Sequence, residues 1–296
     1  MIDVSVIILT FNEEKHIARC IDNVKRIATK VFVVDSYSTD RTCEIAKERG
    51  AEVLQNRYVN QSQQFIWAME HCPVETAWTM RMDADEYLSE DLIKELEHTI
   101  PTLSDRITGC LLPRNVIFLG KELKYGKLKK VYLLRLWRTG CAEMESRWMD
   151  EQIYLIKGDS ISLRNYFLDD NQNGLTTWIQ KHNNYANREI VAAYEYFWKK
   201  TSDNIIGLEQ RNKEKGLYYK LPKYFRAFVY FCVRYIVFGG FLDGKQGLIW
   251  AVLQAYWYRF LVDAKIEEME YYLGKNPSPQ EMKDYFKERF NIDVDK

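Results

Sequence analysis

Trp78-Thr79-Met80-Arg81-Met82-Asp83-Ala84-Asp85-Glu86 is the stretch from which the rest of the chain can be read. A short hydrophobic run ending in Asp-x-Asp predicts a strand with two carboxylates at its C-terminal edge. In open α/β sheets that edge is where ligands bind. Side chains at i and i+2 of an extended segment point the same way. Asp83 and Asp85 are therefore expected side by side, able to grip one hard divalent cation. Mg²⁺ or Mn²⁺ usually takes such carboxylates together with substrate phosphates. The competing reading of Asp83, Asp85 and Glu86 is a solvated turn whose charge leads the next helix.

The flanking sequence supplies the sheet. Val4–Thr10 is a buried-type strand, and a helix is expected from Glu13 to about Ala28. Asn12 suits its N-cap, and Glu13 and Glu14 suit its first turn. Residues 31–35 predict a second strand; Ser38, Thr39 and Asp40 offer caps for a helix ending near Arg49-Gly50. A strand at 51–55, a helix over about Gln61–His71, a strand at 77–82 and a helix capped by Ser89 follow. Strands alternating with helices predict a parallel sheet with right-handed crossovers. From Arg106 the pattern changes, and 107–113, 115–119, 131–137 and 152–157 read as an antiparallel or mixed extension. Gly174 to about Lys200 predicts a long helix. The remainder is helical and aromatic, broken at Pro222, Gly239-Gly240, Gly244 and Pro277. One continuous catalytic domain with a helical appendage is expected.

Composition excludes several classes. The 296 residues suffice for a large core. Acidic and basic residues balance at 42 each, which argues against nucleic acid as a partner. Six scattered cysteines, with no Cys-x-x-Cys, argue against a disulfide framework or a zinc site and fit a reducing cytosol. No signal peptide and no clear transmembrane helix are expected.

Thr10-Phe11-Asn12 closes the first strand and Asp35 the second, so both share the edge of Asp83 and Asp85. Three polar strand ends make a pocket able to hold a nucleotide. The sequence has neither a Gly-x-Gly-x-x-Gly turn nor a Gly-Lys-Ser/Thr loop at this sheet. A diphosphate must then be neutralised in another way, and a metal on Asp83 and Asp85 provides one. Asp150-Glu151, after Trp148-Met149, offers a carboxylate that can take the proton of an attacking hydroxyl. Asp150 can equally cap a turn or pair with Arg147.

Three blocks now fall into one order. They are residues 4–13 (Val-Ser-Val-Ile-Ile-Leu-Thr-Phe-Asn-Glu), residues 33–42 with Asp35, Ser36, Ser38, Thr39, Asp40 and Thr42, and Met82-Asp83-Ala84-Asp85-Glu86. Their order and spacing resemble the nucleotide-sugar-binding half of family 2 glycosyltransferases with the GT-A fold, over about residues 3–155. Trp148-Met149-Asp150-Glu151, residues 178–186 and residues 240–247 extend the resemblance toward bacterial capsule, O-antigen and lipopolysaccharide-core enzymes. It implies an α/β fold: a GT-A, Rossmann-like, mostly parallel sheet with a mixed-sheet extension and a helical, aromatic-rich C-terminal region. The implied division is a nucleotide-sugar-binding half (1–115), an acceptor-side half (116–170) and a helical region (171–296). By the same resemblance, Thr10 and Asp35 contact the uracil and ribose of a UDP-sugar, and Asn12 or Glu13 lines that cleft. Asp83 approaches the ribose or donor sugar and can share the metal. Asp85 holds Mn²⁺ or Mg²⁺ on the diphosphate. Asp150 is the implied base, with Glu151 the competing assignment. The implied reaction is a single displacement with inversion at the anomeric carbon, onto a glycan or a lipid-diphosphate-linked sugar. Its implied place is the cytoplasm, at the inner face of the cytoplasmic membrane.

Departures from the family pattern sharpen the expectation. Processive relatives add Gln-x-x-Arg-Trp after the base; none follows Asp150, so one sugar per acceptor is expected. Relatives often carry a basic residue in the third helix. Here that stretch is Gln61-Ser62-Gln63-Gln64-Phe65, leaving Arg57 or Arg81 as substitutes or as mere surface or sheet-flanking charges. Lys181, His182 and Tyr185 fall within about a turn of helix and can touch a phosphate or simply pack. Residues 217–262 mix basic and aromatic residues in runs too short to span a bilayer, which suits peripheral membrane docking or an aromatic core. Two other functions compete. A sugar nucleotidyltransferase would need a Gly-rich basic loop after the first strand, absent at Thr10-Phe11-Asn12-Glu13-Glu14; a sugar-nucleotide-binding protein without turnover would bind but not react. The spacing fits a GDP-sugar as well as a UDP-sugar.

Overall fold

β1 (Val4–Thr10) is buried from end to end, with β2 (Lys30–Asp35) and β4 (Trp78–Asp83) parallel on either side. Its residues alternate between two apolar layers. Val4, Val6 and Ile8 join one cluster; Ile7 and Leu9 join the other. A strand apolar on both faces needs helices on both faces, and this one has them. The computed structural model describes residues 2–127, 130–145, 151–198, 218 and 220–294. These fall into two units: Met1–Leu123 with Lys129–Asn173, and Lys124–Leu128 with Gly174–Lys296.

In the first unit the strands run in the order β3-β2-β1-β4-β8-β6-β12-β5. β3 (Glu52–Gln55) completes the parallel half. β8 (Val131–Arg138) lies antiparallel between β4 and β6 (Ile107–Phe118), as the expected mixed extension requires. β11 (Asp159–Ser162) and β12 (Phe167–Asp169) pair parallel to β6, β7 (Lys121–Leu123) pairs antiparallel to it, and β5 (Glu86–Leu88) pairs antiparallel to β12. α1 (Ile17–Val24), α2 (Thr42–Glu48) and α4 (Glu90–Thr99) pack on one face; α3 (Gln61–His71) packs on the other. A separate ribbon of β9 (Ala142–Met144) and β10 (Ile153–Leu155) joins the α3 side.

Several expectations change. The first helix begins at Ile17, not Glu13, and Asn12 does not cap it. Asn12 takes φ 55 and gives its side chain to the neighbouring loop instead. Residues 107–118 form one strand rather than two, and Leu119 falls in the turn after it. Pro113 falls between the stretches paired to β11 and β12, so its missing N–H interrupts neither pairing. Residues 84–85 form a turn and Glu86 opens β5, so the acidic run is neither one extended segment nor a helix lead.

The second unit is helical. α5 (Gly174–Trp198) lies against α8 (Tyr258–Leu273), where buried Glu189 accepts from Tyr258 Oη at 2.6 Å and Arg259 Nη1 at 2.6 Å. α6 (Phe225–Cys232) continues through wider turns to Val237, and α7 (Gly244–Trp250) runs through similar turns into α8. Buried Arg226 and Asp263 tie α6 to α8 through the Nε bond to Oδ1 at 2.9 Å. α9 (Pro279–Phe290) starts with a capping box, Ser278 with Glu281. His182 stacks on Trp178 at 3.5 Å and donates Nδ1–H to its carbonyl at 2.9 Å. Burial holds the His182 pKa below its usual value. Packing is thus the role this geometry gives His182.

Candidate functional site

Strand register brings the predicted polar ends together. Thr10 pairs with Asp35 across β1 and β2, and Leu9 pairs with Asp83 across β1 and β4. Thr10 Oγ1 donates to Asp35 Oδ1 at 3.0 Å, both residues being buried. Asp35 Oδ2 accepts from Ser38 N at 2.8 Å and from Gln55 Nε2 at 3.2 Å. The Ser38 hydroxyl also donates to Oδ1. Burial works to raise the Asp35 pKa, but these donors, led by Ser38, hold it below the usual carboxylate range. Asp35 is therefore ionised at neutral pH and pins the loop after β2.

That loop is stitched to the loop after β1. Asn12 N donates to Ser38 Oγ at 2.8 Å, and Thr39 N donates to Asn12 Oδ1 at 2.8 Å. Glu13 N donates to Thr42 Oγ1 at 2.8 Å. The Glu13 carboxylate turns to buried His16, whose Nδ1 is 2.6 Å from Oε2. His16 Nε2 accepts the Gln172 N–H at 2.9 Å, so the ring proton sits on Nδ1 and is donated to Glu13. Phe11 and Tyr37 stand exposed beside the pair, two aromatic faces that sequence reasoning did not single out.

The acidic turn has separate surroundings for each carboxylate. Asp83 lies between two arginines: Arg81 Nη2 is 3.4 Å from Oδ1 and Arg135 Nη2 is 3.5 Å from Oδ2. Glu86 folds back beneath it, accepting Asp83 N–H at 2.9 Å and Arg135 Nη2 at 2.6 Å. Burial raises the Glu86 carboxyl to about 8; Arg135 opposes, and Asp83 and Asp169 add to the rise. Asp85 is held through its backbone, whose carbonyl accepts from Asp170 N at 3.0 Å and Arg19 Nη2 at 3.2 Å. Its Oδ2 accepts from Asn171 Nδ2 at 2.9 Å. Its other oxygen has no protein donor among the described residues.

No group of three His, Cys, Asp or Glu among the described residues is arranged to hold a metal. A cation completed by phosphate oxygens needs only one or two carboxylates. Half-exposed Asp85, with one oxygen open, fits that requirement; Asp83 would have to share its charge with the arginines. Arg81 is buried within β4, its guanidinium 5.1 Å over the Phe65 ring, and Arg57 is exposed.

Asp150 lies outside the described residues; Glu151 is described as half-buried coil. The flanks of their segment are pinned. Glu145 N donates to Gln152 O at 2.9 Å, and Ser62 at the start of α3 donates to Glu145 O. Two residues on, Gln64 Nε2 donates to Ser36 Oγ at 3.1 Å, next to Asp35. The first turn of α3 thus holds Glu145 on one side and Ser36, next to Asp35, on the other. Sequence reasoning missed Arg19, Arg135, Asp170 and Asn171. Arg135 carried a signal: a charge between Leu134 and Leu136 in a central apolar strand needs a buried partner.

The domain model of glycosyl transferase family 2 matches residues 5–139. An uncharacterized glycosyltransferase of Rickettsia typhi is 42% identical over 95 residues, 32% of each chain. A second, of Rickettsia bellii, is 26% identical over 294 residues, 96% of this chain and 92% of that one. The lipopolysaccharide core biosynthesis glycosyltransferase LpsC of Rhizobium meliloti is 30% identical over 144 residues, 46% of this chain and 51% of that one. The chain thus spans about a third of the length of the Rickettsia typhi relative it matches.

Proposed function

We propose, from the match of residues 5–139 to the domain of glycosyl transferase family 2, a metal-dependent, inverting, non-processive transfer of one sugar from a nucleotide sugar. The donor is UDP-linked, and the acceptor is a glycan or lipid-linked sugar of bacterial surface polysaccharide. One observation carries the reading. Thr10, Asp35 and Asp83 converge at a single sheet edge inside the matched domain, with Asp85 in the turn that follows. The relative named for lipopolysaccharide core biosynthesis supports the acceptor class.

In this reading Thr10 and Asp35 set the nucleoside end, through a carboxylate already ionised and fixed by Ser38. Asn12 and Glu13 shape the adjoining loop. Asp85, with Asp83 sharing, would hold Mn²⁺ or Mg²⁺. Such an ion, when bound, neutralises charge on the departing diphosphate. Arg81 and Arg135 keep Asp83 fixed against the strand end. Asp150 or Glu151 accepts the acceptor's hydroxyl proton as the acceptor oxygen bonds to the anomeric carbon. The bond to the donor phosphate breaks, and its electron pair leaves with the nucleoside diphosphate. No enzyme nucleophile takes part.

A thermal-shift panel of nucleotide sugars, with and without Mn²⁺, tests this. Ligand at about 100 times its Kd stabilises by about 2.7 kcal/mol. At least one UDP-sugar should raise the melting temperature, and more so with Mn²⁺. A panel with no shift for any nucleotide sugar overturns the proposal.

A further inference from the structure

The turn joining the α6 and α7 arms is an apolar tip that is held open. Ile236, Val237, Phe238, Phe241 and Leu242 are all exposed there, from 40% at Phe238 to 72% at Val237. Tyr125, from the strap beside it, is exposed as well. A set of polar contacts fixes the turn beneath them. Buried Asp243 accepts the N–H groups of Lys124 at 3.2 Å and Tyr125 at 2.9 Å. Gly126 N donates to Phe238 O at 2.9 Å, and Arg234 Nε donates to Gly126 O at 2.7 Å. A side chain at Gly247 would lie 2.2 Å from Gly240 O, so the turn closes tightly.

Three observations choose the occupant. The backbone of the tip is paired within the protein: Phe238 N to Val233 O, Gly239 N to Ile236 O and Leu242 N to Gly239 O. A tip so satisfied can leave water without stranding polar groups. Charge is one-sided. Among residues 220–262 the sole acid is Asp243, which is buried, while Lys124 and Lys245 stand exposed beside the tip. No single described helix is long and apolar enough to cross a bilayer, but the two arms pass together as a pair bent by 69°. We propose that this tip inserts into the headgroup–acyl boundary of an anionic phospholipid bilayer, with Lys124 and Lys245 at the phosphate level. Basic residues flanking an apolar wedge are what such an interface binds. The proposal rests on the second unit alone and is independent of the donor site.

Co-sedimentation of the full chain with phosphatidylcholine vesicles, with and without phosphatidylglycerol, tests it. The wild type should bind vesicles containing phosphatidylglycerol. The exposed double variant Val237→Ser/Phe241→Ser should lose roughly tenfold or more in partition. Lys124→Glu/Lys245→Glu should lose the preference for phosphatidylglycerol. An unchanged urea midpoint for both variants certifies their fold. Partition of the tip variant equal to wild type overturns the proposal. So does a wild type that ignores vesicles and sediments as a dimer that the tip variant breaks, since the face would then join two copies. Vesicle binding is read without any transfer assay, so a failed donor panel leaves this result standing.

Discussion

Arg135 Nη2 sits 2.6 Å from Glu86 Oε1, a buried hydrogen-bonded pair directly beneath the acidic turn. The same nitrogen is 3.5 Å from Asp83 Oδ2, so one guanidinium organises both ends of the turn. The plane of Arg135 also lies 5.1 Å over the Phe167 ring, which fixes it against β12. Asp83 is thus oriented by side chains rather than by strand alternation.

Above about pH 8, where Glu86 is ionised, removing Arg135 leaves its buried charge uncompensated. Arg135→Leu should destabilise the protein by about 3–5 kcal/mol in urea titrations above that pH. Adding Glu86→Gln to it should recover part of that loss, a coupling that a double-mutant cycle measures. Additive costs would show that the two side chains act independently.

The raised Glu86 pKa gives a pH signature. The unfolded chain releases this proton near 4.5, whereas the folded chain keeps it up to about 8. Between those values the folded state binds more protons, so stability falls as pH rises. The contribution is complete below about 4.5 and gone above about 8. Melting temperatures taken across that window should fall with pH less steeply in Glu86→Gln than in wild type. Equal slopes would contradict the assignment.

Asp35 anchors the loop after β2, which meets the nucleoside in the proposed reading. Asp35→Ala strands the Ser38 N–H and removes the acceptor of Thr10, at a cost of about 1–3 kcal/mol. Hydrogen exchange at residues 36–40 should accelerate, and calorimetric UDP binding should weaken by more than the stability loss explains. Binding at wild-type strength would remove Asp35 from the donor site.

Asp150 and Glu151 compete for one role. Replacing the true base by its amide should lower kcat by roughly 10²–10⁴-fold and leave donor affinity unchanged. Asp150→Asn is expected to be the damaging variant, and Glu151→Gln the mild one. The reverse outcome moves the base to Glu151.

The parallel half of the sheet was legible because its strands are apolar on both faces. Val31, Phe32, Val33 and Val34 need no distant partner to announce a buried strand. Thr10, Asp35 and Asp83 share one edge because β2, β1 and β4 are parallel neighbours in the sheet, as alternating strands and helices predict. The turn at 84–85 was not legible. β5 is three residues long and exists because it pairs with β12, eighty or so positions away in sequence. Glu86 was consequently read as helix-leading charge, although it is 2% exposed. Asn12 looked like a cap because Glu13 and Glu14 follow it. Its hydrogen bond to Thr39 N depends on the loop after β2, which no local pattern reveals. Arg19 and Asp170, the clamps on the Asp85 carbonyl, lie 151 positions apart.

In the proposed reaction Asp85 serves a nucleoside diphosphate through a divalent cation. Calorimetric titration of UDP into wild type and Asp85→Ala, each with Mn²⁺ and with EDTA, tests it most directly. Wild type should bind UDP in a Mn²⁺-dependent way and lose that affinity in EDTA, and Asp85→Ala should show no Mn²⁺ dependence at an unchanged urea midpoint. Mn²⁺-dependent binding of UDP to Asp85→Ala at wild-type affinity would contradict it.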